Sequence, residues 1–249
     1  MTTPELIVEV QTGVAVVLHL IVAARMYTCR LYEKARYFFT YIVWQNVSTF
    51  ILYTFAHTSR NWQFYSFWIN NLITMSLGLL IIVELFDRIF GSYNSIRHFA
   101  KMILLWSFAV LMLIGVFLAH FHKVAFSVPY WTVFLVTERS IRVIQLGLIL
   151  TLFGLSKYLH LRWKNYLFGI ALGFGFYALL ALTGLTIRMY YGKLVFVWED
   201  SLLGTAYCLA LAIWTFYVLQ TDAIKIPIVP LPSHELERWD EALARLLHR

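Results

Sequence analysis

Four side chains with ionic or hydrogen-bonding chemistry stand close together within one long apolar stretch of this sequence. Glu138, Arg142 and Gln145 are spaced by four and three residues, which puts them on one face of a helix, with Arg139 one position round. Arg142 lies about ten residues, or about 15 Å, from the start of the stretch. An unpaired charge at the centre of a membrane helix costs roughly 2.5–3.5 kcal/mol. The pattern therefore predicts that Glu138 and Arg142 face the interior of a helical bundle, with at least one acid or amide of another helix near Arg142.

Two interpretations of these charges stay open at the level of sequence. In the first, an internal network of ion pairs and hydrogen bonds fixes the register of the helices. In the second, the arginines bind an anionic or zwitterionic small molecule, or line a proton path. Single polar groups in the other apolar stretches, such as Gln11, His19 and Gln45, are ordinary contacts between membrane helices when taken one at a time. The predicted ligand-binding residues are Glu138, Arg139, Arg142, Gln145, Glu9, Asn70, Asn71 and Glu199.

The elements that must position these residues are seven apolar runs of about 20 residues or more, a length that spans a bilayer as a helix. With 61% apolar and 13% charged residues, little of the chain remains for a soluble domain. The sixth run carries Gly169 and Gly173, whose spacing predicts a close approach by another helix of the same bundle. The runs are Leu6–Tyr27, Tyr37–His57, Tyr65–Phe90, Met102–Phe121, Thr132–Leu155, Leu167–Tyr190 and Leu202–Thr221.

Basic residues between the runs predict the orientation. Ten of them lie in alternate connections (Arg25, Arg30, Lys34, Arg36, Arg88, Arg97, Lys101, Lys157, Arg162, Lys164), against four in the others (Arg60, Lys123, Arg188, Lys193). The richer side is expected to be cytoplasmic, so the N-terminus is outside and, after seven crossings, the C-terminus is inside. The net charge of +7 has this origin and indicates no nucleic-acid surface. At the inner end of the third run, Glu84 and Arg88 are spaced for a local ion pair.

The chain divides into a membrane domain, residues 1–226, and a short cytoplasmic tail, residues 227–249. Pro227, Pro230 and Pro232 predict a stiff spacer. A helix is then predicted over Ser233–Leu247, with a face formed by Leu236, Trp239, Leu243, Leu246 and Leu247. This helix either lies on the inner membrane surface or docks a protein partner.

Several chemical functions are disfavoured. Retinal binding needs a lysine deep in a helix, but Lys157, Lys193 and Lys225 lie at helix ends. Haem needs facing histidines, and only His57 and His120 are placed at similar depth. Proline-broken transporter helices are not indicated, because no proline lies inside a run. Cys29 and Cys208 form no metal or disulfide pattern. We predict no catalytic residue, metal or cofactor.

Segments 137–176, 83–90 and 236–249 make the chain similar to a family of bacterial seven-helix integral membrane proteins. The resemblance implies a bacterial inner-membrane location and no established activity. Three functions stay open: a sensor or receptor with an outward polar pocket and output through a partner protein, a structural or accessory subunit of a larger membrane complex, and a small-molecule transporter. The predicted partners are the lipid bilayer, a small ligand, and a protein bound through the C-terminal helix.

Overall fold

The computed structural model describes residues 3–55, 60–91, 129–160, 163–191 and 196–220, with six scattered positions between 102 and 113. In this part of the chain the regular elements are six α-helices and one 3-10 turn, Leu31–Glu33, and there is no β-strand. The helices are α1 (Thr3–Thr28), α2 (Arg36–Phe55), α3 (Arg60–Phe90), α4 (Pro129–Tyr158), α5 (Asn165–Tyr191) and α6 (Phe196–Leu219).

Five of these helices, all except α2, are long and apolar enough to cross a membrane. The chain is therefore an all-α, multi-pass membrane type, and the predicted fold class is confirmed to that extent. α2 is not among these five helices, and it carries Gln45, Asn46 and Ser48 near its centre. Apart from the scattered positions, the fourth predicted run lies outside the described residues, as does the C-terminal helix predicted over Ser233–Leu247. Seven crossings and their orientation stay predictions.

The six described helices pack in a ring. Each contacts the next one along the chain, and α6 closes the ring by contacting α1. Further contacts run across the ring, between α3 and α5 and, through aromatic side chains, from α2 to α5 and α6. Consequently α1 lies between α2 and α6, whereas α4 lies between α3 and α5. This separation decides which of the polar side chains can meet.

Trp214 of α6 is fully buried and stands at the centre of the core. Its ring centroid lies 5.3 Å from that of Phe38, 5.9 Å from that of Tyr41 and 4.7 Å from that of Phe174. The indole N–H donates to the carbonyl of Ile170 at 3.2 Å, so the one polar atom of the side chain is satisfied. These contacts join α2, α5 and α6 into one aromatic core.

The two glycines of α5 explain how α6 fits so closely. A Cβ added at Gly173 would meet the indole of Trp214, and one added at Gly169 would meet the ring of Tyr217. The pair therefore admits two large side chains of the neighbouring helix. The prediction that these glycines serve packing within the bundle is confirmed.

The connection from α1 to α2 is held by the last turns of α3. Arg30 turns the chain in the left-handed region, with φ 52°. The Glu84 carboxylate then accepts the backbone N–H groups of Arg36, at 2.6 Å, and Tyr37, at 3.0 Å. Arg88 donates to the carbonyl of Glu33 at 2.9 Å. Glu84 thus caps the positive N-terminus of α2 from another helix. Their spacing on α3 predicts a local ion pair between Glu84 and Arg88. In the structure both side chains instead bond to the α1–α2 connection.

Candidate functional site

The predicted residues on α4 form a compact polar group with a neighbour on α5. Arg142 is 7% exposed, so the prediction that it faces the bundle interior is confirmed. Its Nη1 donates to Gln145 Oε1 at 3.1 Å, and its Nη2 lies 3.7 Å from Glu138 Oε1. The guanidinium carbon stands 5.0 Å from the ring centre of Tyr177, a cation–π distance. We name Glu138, Arg142, Gln145 and Tyr177 the Arg142 cluster.

The Arg142 cluster is tied to α3 through the backbone. Gln145 Nε2 donates to the carbonyl of Met75 at 3.4 Å. Gly78 makes the room, because a Cβ there would lie 2.6 Å from Gln145 Nε2. The partners of the buried guanidinium are thus an acid and an amide of its own helix and an aromatic face of the next. The acid or amide expected from another helix is replaced by this ring.

The remaining predicted site residues have other surroundings. Asn70 Oδ1 accepts the indole N–H of Trp44 at 3.0 Å, so Asn70 joins α3 to α2. Asn71 is half-buried one turn before Met75. Arg139 is half-buried and has interactions of its own. Glu9 is exposed on α1, on a different side of the ring from α4. Glu199 lies within α6, but its side chain is outside the described residues.

A second polar site, which the sequence did not single out, is a pocket between α1, α2 and α6. Its volume is about 210 Å³. We name it the α1/α2/α6 pocket. It is lined by Val8, Gln11, Thr12, Ala15, His19, Gln45, Thr49, Gly204, Tyr207 and Cys208. Most of these side chains are polar, although the three helices around them are largely apolar.

Hydrogen bonds hold the walls of this pocket in place. Gln11 Nε2 donates to the carbonyl of Ser201 at 3.0 Å and to Thr205 Oγ1 at 2.8 Å. The Cys208 thiol lies 3.6 Å from the carbonyl of Gln11. A Cβ at Gly204 would meet the Gln11 carboxamide oxygen. The glycine therefore leaves the space in which the Gln11 amide stands between α1 and α6.

Tyrosines connect the pocket to the Arg142 cluster. At the pocket wall, His19 Nε2 and the Tyr207 hydroxyl are 2.8 Å apart. The Tyr41 hydroxyl donates to that of Tyr207 at 3.4 Å. The Tyr207 ring packs edge-on against Tyr177 at 5.3 Å, and Tyr177 carries the Arg142 guanidinium on its face. We name Tyr41, Tyr177 and Tyr207 the tyrosine bridge, which joins polar groups on five helices.

The chemistry of the two sites differs. In the Arg142 cluster, Arg142 and Gln145 are buried and the opposite charges of Glu138 and Arg142 lie near each other, so the cluster suits a structural role. The pocket offers carboxamide, imidazole, phenol and thiol groups around open space. Within the described residues, no three His, Cys, Asp or Glu side chains come together as metal ligands. The pocket therefore suits a small organic molecule held by hydrogen bonds.

Sequence reasoning missed the pocket because its members are scattered. Gln11, His19 and Gln45 were each treated as a single polar group, and no role in a site was predicted for Gly204, Tyr207 or Cys208. The available signal was that two successive apolar runs each carry a carboxamide, Gln11 near the start of the first run and Gln45 near the middle of the second. Comparison with known proteins supplies no further assignment, since no protein-family model, curated protein or solved structure matches this chain.

Proposed function

We propose that this protein is a sensor or receptor of the bacterial inner membrane, with seven crossings and its N-terminus outside. Its ligand site would be the α1/α2/α6 pocket. The observation that carries the proposal is the polar lining of this pocket inside an otherwise apolar bundle. Polar groups among membrane helices are costly unless they serve a contact or a ligand. The space of about 210 Å³ that these groups border is large enough for a small ligand, which supports the second of these uses.

The tyrosine bridge gives such a sensor a route for its signal. A ligand beside His19 and Tyr207 would change the contacts of Tyr207 with Tyr41 and Tyr177. Tyr177 holds Arg142, so the packing of α4 and α5 would respond. Any output then passes to a separate protein, for which the helix predicted over Ser233–Leu247 is the proposed docking element. A ligand acts in this way only by binding one arrangement more tightly than the other.

Cys208 provides a direct test, because its thiol lines the pocket. The full chain carrying Cys29→Ser would be purified in mild detergent and alkylated with N-ethylmaleimide, and the rate followed by mass spectrometry. Fractions of a small-molecule extract from bacterial cells would be added as protectants. We expect at least one fraction to slow alkylation of Cys208. The matched control is Cys29 in a Cys208→Ser chain, whose rate should not change.

Two glycine variants sharpen this test. Gly204→Ala pushes the Gln11 amide out of its place and should abolish protection. Gly13→Ala adds the same methyl group on α1, where nothing lies within 4 Å, and should preserve it. The proposal fails if no fraction protects Cys208, or if the protection is equal at Cys29.

A second candidate function is that of an accessory subunit in a larger membrane complex. It is favoured by the Arg142 cluster, because a guanidinium whose partners are all internal serves to fix helix packing. Purification in mild detergent followed by mass spectrometry separates the two proposals. Stoichiometric protein subunits, with no small molecule retained, would favour the accessory role.

Reporter fusions near Tyr32, Ser95 and His160 would test the orientation, and cytoplasmic signals are expected at all three.

A further inference from the structure

We infer that the α1/α2/α6 pocket selects a small, uncharged molecule bearing a carboxamide or hydroxyl group, and that Gln11 and Gln45 recognise it. This inference rests on the proposed function and adds the chemical class of the ligand. It starts from the charges around the pocket. Among the described residues that line it there is no Asp, Glu, Lys or Arg. An ion entering from water would lose its hydration without gaining a counter-charge, which is strongly unfavourable in an apolar bundle.

The available hydrogen-bonding groups define what can replace water there. Both N–H groups of Gln11 face α6, where they donate to the Ser201 carbonyl and Thr205 hydroxyl. A carboxamide has two N–H donors and one carbonyl acceptor, and Gln11 Oε1, which lies against Gly204 at the pocket wall, is the atom left to accept from a ligand. The hydroxyls of Thr12 and Thr49 donate to carbonyls of their own helices, Val8 and Gln45. They are therefore used as donors already.

Gln45 supplies the complementary donor from α2, where it lines the pocket. Its Oε1 accepts the Ser48 hydroxyl and its amide is hydrogen-bonded to the Tyr41 hydroxyl one turn before it, so one of its two N–H groups is left for a ligand. A ligand with both an N–H or O–H donor and a carbonyl or hydroxyl acceptor can thus bridge Gln11 Oε1 and the Gln45 amide. A site built to hydrogen-bond such a group rejects molecules that lack it, because its own polar atoms are then left unpaired.

The size of the pocket restricts the ligand further. Its volume of about 210 Å³ is smaller than that of sites for drug-sized molecules. A ligand of few non-hydrogen atoms is therefore expected. It differs from the anionic or zwitterionic ligand predicted from Arg139 and Arg142, because neither arginine is among the described residues of this pocket.

Three probes of similar size and different charge test the inference. Butyramide is neutral, butyrate is an anion and butylammonium is a cation at neutral pH. Each would be added to the Cys29→Ser protein at the same concentration during alkylation of Cys208 by N-ethylmaleimide. Butyramide should slow the reaction, and each ion should need a concentration at least about fivefold higher for the same effect, as expected for one lost hydrogen bond.

Substitutions then identify the recognising amides. Gln11→Met and Gln45→Met keep the length of the side chain and remove the amide, so each should reduce butyramide protection. Asn46→Met is the matched control on α2, since the Asn46 amide donates to the carbonyl of Ile42 and does not line the pocket. Gln45→Asn, which retains an amide, gives a second variant should Gln45→Met not yield folded protein. Butyramide should protect Cys208 less in Gln45→Asn than in the parent, and more than in Gln45→Met.

The outcomes separate this inference from the proposed function. Equal or better protection by butyrate or butylammonium overturns the uncharged ligand, and so does full butyramide protection in both methionine variants. If cell extract protects Cys208 and butyramide does not, the inference fails while the receptor proposal stands. If neither extract nor any probe protects Cys208, both fail.

Discussion

The Arg142 cluster and the α1/α2/α6 pocket are two polar regions of the described bundle, and they use their polar groups in opposite ways. In the cluster, a buried cation is surrounded by its own helix's acid and amide and by a tyrosine ring. In the pocket, neutral groups border about 210 Å³ of open space. The comparison teaches that the most conspicuous charges in a membrane sequence need not mark a ligand site. A buried charge needs partners within the bundle, whereas a neutral amide can keep a hydrogen-bonding atom for a ligand.

The largest effect should come from Gln145→Leu. This change removes the hydrogen bond to Arg142 and the link to Met75 together, and leaves the buried guanidinium with a weaker set of partners. We expect a loss of about 2–3 kcal/mol in the free energy of unfolding, the size found for hydrogen bonds to charged groups. Unfolding by sodium dodecyl sulfate in mixed micelles would measure it. Gln45→Met in the pocket is the comparison, and an equal loss there would break the distinction between the regions.

Glycine substitutions should have the next largest effects, and these effects should differ between the Arg142 cluster and the pocket. Gly78→Ala places a methyl group against Gln145 Nε2 and should cost about 1–3 kcal/mol through overpacking. Gly204→Ala meets the end of the Gln11 side chain, which is half-buried and has more room to move than buried Gln145, so its main effect should be on protection of Cys208. Gly154→Ala, where nothing lies within 4 Å, is the control for the helix change alone. Thermal unfolding and Cys208 alkylation of the three variants test this. A stability loss for Gly204→Ala as large as that for Gly78→Ala would contradict the expectation.

Tyr207→Phe tests whether the two regions communicate. Removing the hydroxyl breaks its contacts with His19 and Tyr41 and should cost about 1 kcal/mol. A double-mutant cycle with Arg142→Met should show an interaction energy of about 0.5 kcal/mol or more, because Tyr177 touches both side chains. Strict additivity of the two changes would show that the tyrosine bridge carries no coupling.

Glu9→Gln should have the smallest effect. Glu9 is exposed on α1 and lies on a different side of the ring from Arg142. A change in unfolding free energy within about 0.5 kcal/mol is expected, as for surface substitutions. Alkylation of Cys208 should be unchanged as well. A large destabilisation would mean that Glu9 neutralises a buried arginine after all.

The fold was predictable where a single physical constraint dominates. Long apolar runs must be helical in a bilayer, and six of the seven predicted runs correspond to described helices. The burial of Arg142 followed from its depth, and its pairing with Glu138 and Gln145 followed from helical spacing. The glycine pair of α5 was identified for the same reason, since small residues mark a close approach.

The pocket was not predictable, because it depends on which helices become neighbours. Gln11 and Thr205 are far apart in the chain and meet only because α6 closes the ring onto α1. Glu9 was predicted to belong to the same ligand site as Arg142, yet α1 and α4 lie on different sides of the ring. The contacts of Glu84 were unpredictable for the same reason. Its spacing from Arg88 predicts a local pair, while its actual partners are two backbone groups that the chain folding brings to it.

The cap that Glu84 provides has a consequence for biogenesis. α2 is the described helix that is not among the five apolar enough to cross a membrane, and two of its N-terminal backbone groups are bonded by a side chain that is synthesised 47 to 48 residues later. If α2 is one of the predicted crossings, it leaves the translocon without this cap and with amide side chains near its centre. Its stable integration is then expected to await α3. A nascent chain ending after Phe55 is expected to hold α2 poorly in the membrane, and extension through Phe90 should rescue it unless Glu84 is replaced by alanine.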